Sequence, residues 1–126
     1  MKSMKGFTLV ELVIVIVIVG ILSVVAVPVY KGYTKKAMAT EGKALLGAIN
    51  TSQKVYFAEY ATYTVSTAVV DVDPKANKYF TAFALSTGSG TFTATTAGKA
   101  ATGASGITLT LTGSSSGESN IIESGL

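Results

Sequence analysis

The 126-residue chain contains no cysteine, no histidine and no arginine. Without cysteine no disulfide can close a loop; the lack is compatible with an oxidising compartment without pointing to one. Without histidine or cysteine, the many serines and threonines have no evident base beside them, so neither enzyme activity nor a bound cofactor is expected. The missing arginine removes the usual bidentate reader of phosphates and base edges. The ten basic residues are all lysines, set against seven acids for a net charge of +3, and they are spread along the chain. No direct nucleic-acid binding is therefore expected. Proline is scarce as well, with Pro28 and Pro74 the only two.

What is present begins with an apolar run. From Leu12 to Val27 only Gly20 and Ser23 interrupt Leu, Val, Ile and Ala. As a helix, residues 7–27 measure about 32 Å, enough to cross a hydrocarbon core about 30 Å thick. One carboxylate, Glu11, lies inside this run. An acid there is costly to insert and calls for a partner that a lone helix does not provide, which points to assembly. Two other readings fit parts of the pattern. A cleaved secretory signal would have Lys2 and Lys5, an apolar stretch and a small-residue site at Val24-Val25-Ala26. The stretch exceeds the usual run of about 7 to 15 residues, however, and Glu11 breaks its beginning. A plain single-span anchor explains the length but not the acid. Lys2 and Lys5 precede the span while Lys31, Lys35 and Lys36 follow it, so local charge leaves its orientation open.

The junction Lys5-Gly6-Phe7-Thr8-Leu9-Val10-Glu11, followed by the apolar run and Pro28, resembles the amino-terminal segment of the type IV pilin and type II secretion pseudopilin superfamily. Beyond Tyr30 only the layout agrees. The resemblance implies that a prepilin peptidase cuts between Gly6 and Phe7 and methylates the new amine, leaving eight lysines against seven acids. It implies that Glu11 meets the Phe7 amine of a neighbouring identical subunit, setting register more than adding net stability. It also implies a leader on the cytoplasmic side, an inner-membrane precursor, an inner-membrane platform with an assembly ATPase, and an extracellular homopolymer. Between Gly20 and Pro28 it implies loss of helical order in the filament, where proline alone would give a kink. The expected role is a major pilus subunit serving adhesion, surface motility or DNA uptake; a type II secretion pseudopilin and a minor or priming pilin use the same helix. Many type IV pilins close their carboxy-terminal loop with a disulfide, so here something else must hold the tail.

Past the membrane run the helix should continue to about Tyr60. Met38, Leu45, Ile49 and Tyr56 fall on one stripe at helical spacing, with Gly42 and Ser52 at its edges, while Lys36, Lys43, Asn50 and Lys54 fall opposite. Residues 65–72 read as a short strand or irregular linker ended by Asp73-Pro74. Residues 79–85, 91–96 and 107–112 read as strands, joined by a tight connection at 86–90 and a longer one at 97–106. The expected fold is α+β and pilin-like: one long amino-terminal helix whose amphipathic half packs on an antiparallel sheet of three or four strands. The parts are a leader at 1–6, a membrane and filament-core helix at 7–30, its amphipathic continuation at 31–60, and a loop and sheet at 61–126 with a flexible Ser/Gly-rich tail. Ile121-Ile122 is left unplaced. Asp71 and Asp73, the only close acidic pair, form with Asn77 a weak calcium pattern, for which a solvated turn before Pro74 is the competing reading.

Overall fold

A computed structural model describes residues 5–126, so Lys2 of the expected leader lies outside the described residues. The chain divides into two units, Met1–Thr34 and Lys35–Leu126. Helix α1 (Leu9–Tyr60) contributes to both.

In the first unit every side chain of α1 from Leu9 to Tyr30 is exposed. An 18-residue window of this helix reaches a mean hydropathy of 3.2 with none of it buried. The β-branched run has modest helix propensity in water, but a hydrocarbon solvent obliges each backbone group to bond internally, which only a helix does within one segment. Ser23 obeys the same constraint: its hydroxyl donates to the Val19 carbonyl at 2.8 Å. Pro28 lies inside the helix, and α1 runs without interruption through it.

In the second unit α1 buries Ala39, Gly42, Leu45, Leu46, Ile49 and Gln53. The helix stops after Tyr60 because Ala61 turns left-handed, at φ 54, with its N–H still bonded to the Phe57 carbonyl at 2.8 Å. Gln53 then fixes the returning chain. Its Nε2 donates to the Thr64 carbonyl at 2.6 Å and its Oε1 accepts from the Thr64 N–H at 3.1 Å, so a fully buried amide is satisfied on both sides.

A one-turn helix α2 (Thr67–Val70) and a 3₁₀ turn (Pro74–Ala76) lead into four strands, β1 (Phe83–Gly88), β2 (Thr91–Ala97), β3 (Thr108–Ser114) and β4 (Ser119–Ser124). They form an antiparallel meander in chain order. Alternation sends Phe92, Ala94 and Thr96 of β2 and Leu109, Leu111 and Gly113 of β3 into the core, where they meet Leu46, Ile49 and Phe80. Two glycines set how closely these layers approach. A Cβ on Gly42 would collide with Leu109 and lie 2.9 Å from Phe80, and one on Gly113 would collide with the Phe92 ring. The buried Thr96 hydroxyl is satisfied by the Ala82 carbonyl at 2.6 Å.

Several expectations need correction. Residues 67–70 are helical, not extended, and Asp71 ends that turn in a left-handed conformation. The strand expected from Tyr79 starts only at Phe83; ahead of it Asn77 Oδ1 accepts from the N–H groups of both Tyr79 and Phe80, which bends the chain and buries the Phe80 ring. The Ser/Gly segment is no loose tail. It turns tightly at Ser115–Gly117, where the Ser114 N–H donates to Glu118 at 2.9 Å, and β4 pairs along β3 with Leu111 opposite Ile121. Lys43, Asn50 and Lys54, expected to face away from the sheet, instead contact this last hairpin. Lys43 pairs with Glu123, Asn50 Nδ2 donates to the Ser119 hydroxyl at 3.2 Å, Lys54 reaches the Gly117 carbonyl, and Lys35 reaches that of Gly125. Polar side chains at helical spacing thus hold the final strand without a disulfide.

Two substitutions test this packing in the full chain. Ile49→Ala should cost about 2–5 kcal/mol and Gly42→Ala about 1–3 kcal/mol, one by opening a cavity and the other by overfilling the helix–sheet contact. Denaturant midpoints read by circular dichroism check both, and unchanged midpoints would contradict the close approach at Gly42.

Candidate functional site

The first turn of α1 is closed by a reciprocal pair. Thr8 is the residue before the helix, and its carbonyl accepts the first helical bond, from the Leu12 N–H at 3.4 Å. Its hydroxyl accepts from the Glu11 N–H at 3.3 Å and donates to Glu11 Oε2 at 2.8 Å. The same Oε2 accepts from the Thr8 N–H at 2.8 Å. This is a capping box, in which a threonine and a glutamate three residues on satisfy one another's exposed helix-end donors. The motif Thr-x-x-Glu before an apolar run was legible in the sequence, and Thr8 is the residue the sequence reading overlooked.

The pair orients the acid. Glu11 Oε2 is taken by two donors, whereas Oε1 accepts no hydrogen bond among the described residues. Phe7 is 84% exposed immediately before the cap, and Gly6 has open space around its α-carbon. The geometry presents one free carboxylate oxygen and an accessible Gly6-Phe7 peptide at the start of an apolar helix. Gly20 and Pro28 both lie within α1, and nothing stands within 4 Å of a Cβ placed on Gly20.

The other singled-out residues lie elsewhere. Leu45 and Ile49 are buried in the core, while Met38 and Tyr56 are only half-buried; the Tyr56 ring lies tilted against that of Tyr60, centroids 4.6 Å apart. The buried stripe is centred nearer Leu46 and Gln53 than Met38 and Tyr56 suggested, because Gly42 admits Leu109 and Phe80 on that side and Gln53 is drawn in by Thr64. Asp73 Oδ1 caps the 3₁₀ turn by accepting from the Lys75 N–H at 2.9 Å. Asn77 holds Tyr79 and Phe80 through its oxygen, and donates to the Glu41 carbonyl at 2.9 Å through its nitrogen. Two of the three residues in the calcium pattern are thus engaged in building the turn. Among the described residues no cluster of three or more His, Cys, Asp or Glu side chains is placed to hold a metal.

Comparison with known proteins agrees with this geometry. Residues 1–27 match the prokaryotic N-terminal methylation motif. The fimbrial protein EcpC of Eikenella corrodens is 34% identical over 113 residues, covering 86% of this chain and 74% of that protein. A fimbrial protein of Pseudomonas aeruginosa is 38% identical over 87 residues, covering 69% of this chain and 53% of its own length. The type IV major alpha-pilin of Moraxella bovis is 41% identical over 66 residues, covering 52% of this chain and 42% of that protein. The chain thus spans about half the length of several relatives it matches. With the methylation motif, the long helix on a four-stranded antiparallel sheet, and a fimbrial relative covered over most of its length, the chain belongs to the type IV pilin family.

Proposed function

We propose that this chain is the major structural subunit of a type IV pilus, held in the inner membrane as a precursor and assembled outside the cell into a fibre of identical copies. The observation that carries the reading is the exposed apolar surface of residues 9–30, headed by one acid with a free oxygen. Such a surface suits lipid first and a bundle of like helices afterwards, since van der Waals packing can exchange one apolar neighbour for another. Several relatives are described as major pilins, which favours that role over the pseudopilin. The engaged turn around Asp73 and Asn77 gives the calcium reading no support.

In this proposal a prepilin peptidase removes residues 1–6 and methylates the Phe7 amine. Residues 7–30 form the membrane and filament-core helix, 31–60 its amphipathic continuation, and 61–126 the sheet-bearing part. A platform protein and an assembly ATPase extract the subunit. The free Oε1 of Glu11 receives the Phe7 ammonium of a neighbouring copy while Thr8 keeps Oε2 occupied. The acid then has donors on both oxygens, which lowers the cost of holding it in a low dielectric. Its contribution is mainly register, because an unpaired copy would bury a charge. Gly20 and Pro28 bracket the stretch expected to lose helical order when lipid is replaced by packed subunits, since one lacks a side chain to pack and the other a donor to bond.

The processing step predicts a cellular protein whose intact mass corresponds to a chain starting at Phe7 with one added methyl group; a chain starting at Val27 would reject the proposal. The register step predicts that Glu11→Ala still enters the membrane but yields about tenfold less sheared fibre or lower, as loss of one partner in a buried pair does. Thr8→Val, which removes the hydroxyl but keeps the backbone donor, should give an intermediate yield. Immunoblots of membrane and sheared fractions separate insertion from assembly. Fibre yield at the level of the unmodified chain in Glu11→Ala would exclude the register role.

A further inference from the structure

The last turns of α1 carry a face that the core leaves open. Val55, Tyr56, Glu59 and Tyr60 recur there at helical spacing, and Val69 and Asp71 complete the wall from the end of α2. Together they line a groove of about 580 Å³, within the range of small-molecule sites. The Tyr56 and Tyr60 rings adjoin, centroids 4.6 Å apart, and Tyr60 is 57% exposed. Val55 and Val69 are exposed beside them. The wall is therefore aromatic and aliphatic, and open to solvent.

The charge in this groove is all of one sign. The unit Lys35–Leu126 holds seven lysines and six acids, yet Glu59 and Asp71 line the groove and no lysine does. Lys54, the nearest in sequence, is directed to the Gly117 carbonyl. Among the described residues the one salt bridge joins Lys43 to Glu123, and neither Glu59 nor Asp71 accepts a hydrogen bond through its side chain. Glu59 also stands in the last turn of α1, the negative end of the helix dipole, where lysine or arginine is the usual residue and this helix has none. Two carboxylates and a helix end thus set a negative potential over two tyrosine rings, with no cation of the chain to answer it.

We propose that this groove binds an alkylated ammonium ion, a small organic cation of the choline type. Each part of the wall meets one part of such a ligand. The ring faces attract the positive centre through their quadrupoles, and the alkyl groups pack on Val55 and Val69. The two carboxylates supply the charge, and the helix dipole adds to it. An inorganic cation would use the acids but gain nothing from the rings, because it keeps its water. A neutral ligand of the same shape would use the apolar wall and leave both acids unanswered. The inference concerns the second unit alone and does not rest on the proposed fibre.

The test uses the full chain in micelles of dodecyl maltoside, an uncharged detergent, with binding followed by saturation-transfer NMR of the ligand methyl signal. Choline should saturate the chain. Neohexyl alcohol, its uncharged isostere, should bind about tenfold more weakly or worse. Phosphocholine should also bind more weakly than choline, since its phosphate faces the same acids; this separates a lipid-type headgroup from a free cation. Magnesium chloride should displace choline no better than sodium chloride at equal ionic strength. Tyr60→Leu, Glu59→Gln and Asp71→Asn should each weaken binding about threefold to tenfold. Asparagine is chosen at 71 because it tolerates the left-handed backbone there, at φ 50. Glu118→Gln, in the last hairpin, should change nothing. Circular dichroism melts check the fold of each variant, and the ligand comparisons on the unmodified chain need no variant. No saturation by choline, equal binding of neohexyl alcohol or phosphocholine, specific displacement by magnesium, or unchanged affinity in any of the three groove variants would each overturn the proposal. Failure of Glu11→Ala to reduce fibre yield would leave this result unchanged, so the two readings fail separately.

Discussion

A carboxylate in an apolar helix must find donors within reach of its own backbone or in a neighbour, and much of the first unit follows from that requirement. Glu11 takes two donors from Thr8, which fixes where α1 starts and leaves one oxygen for something outside the chain. For five turns after it the helix is exposed and apolar but for Ser23, whose hydroxyl is bonded to the Val19 carbonyl, so the helix supplies no further polar partner. In the proposed fibre the single acid ties the helix to the register of its neighbours. A polar residue of this kind restricts the arrangements available more than it increases their stability.

The second unit solves a different problem with a small core. Its strands are rich in threonine and alanine, and only a few large side chains, among them Phe80, Phe92, Leu46 and Ile49, fill the space against α1. Glycine at 42 and 113 compensates by bringing the layers close enough for those side chains to touch. Two aromatic pairs, Phe57 stacked on Tyr63 and Tyr63 tilted against Phe92, carry the core past the end of the helix, with ring centroids 4.7 and 4.8 Å apart. Buried amide and hydroxyl groups at Gln53 and Thr96 then tie the loops to this core instead of weakening it.

The sequence shows some of this plainly and conceals the rest for identifiable reasons. The long helix, the strands β2 and β3 and the amino-terminal methylation motif are legible, because apolar periodicity and a short motif mark them directly. The fourth strand is not. Ser119 to Ser124 lacks a clean alternation, since the inward position at 123 is a glutamate whose partner, Lys43, lies 80 residues earlier. Gln53 is hidden for the same reason: a polar residue reads as exposed until its partner, the backbone of Thr64, is known. At the helix start the Thr8 to Glu11 pattern is local and visible, yet an acid in an apolar helix reads first as one awaiting a neighbour, although its nearest donors are within its own chain.

The contacts that hold β4 also determine the order in which the second unit can close. Strands arrive in the sequence β1 to β4, and the side chain of Lys35 reaches a carbonyl 90 residues later, at Gly125. Phe80, β2 and β3 can therefore cover the helical stripe first, and Lys43, Asn50 and Lys54 find their partners only when the last hairpin follows. A non-covalent closure suits such a schedule. Such a sheet reaches its final register without an oxidant, because none of its contacts is a disulfide.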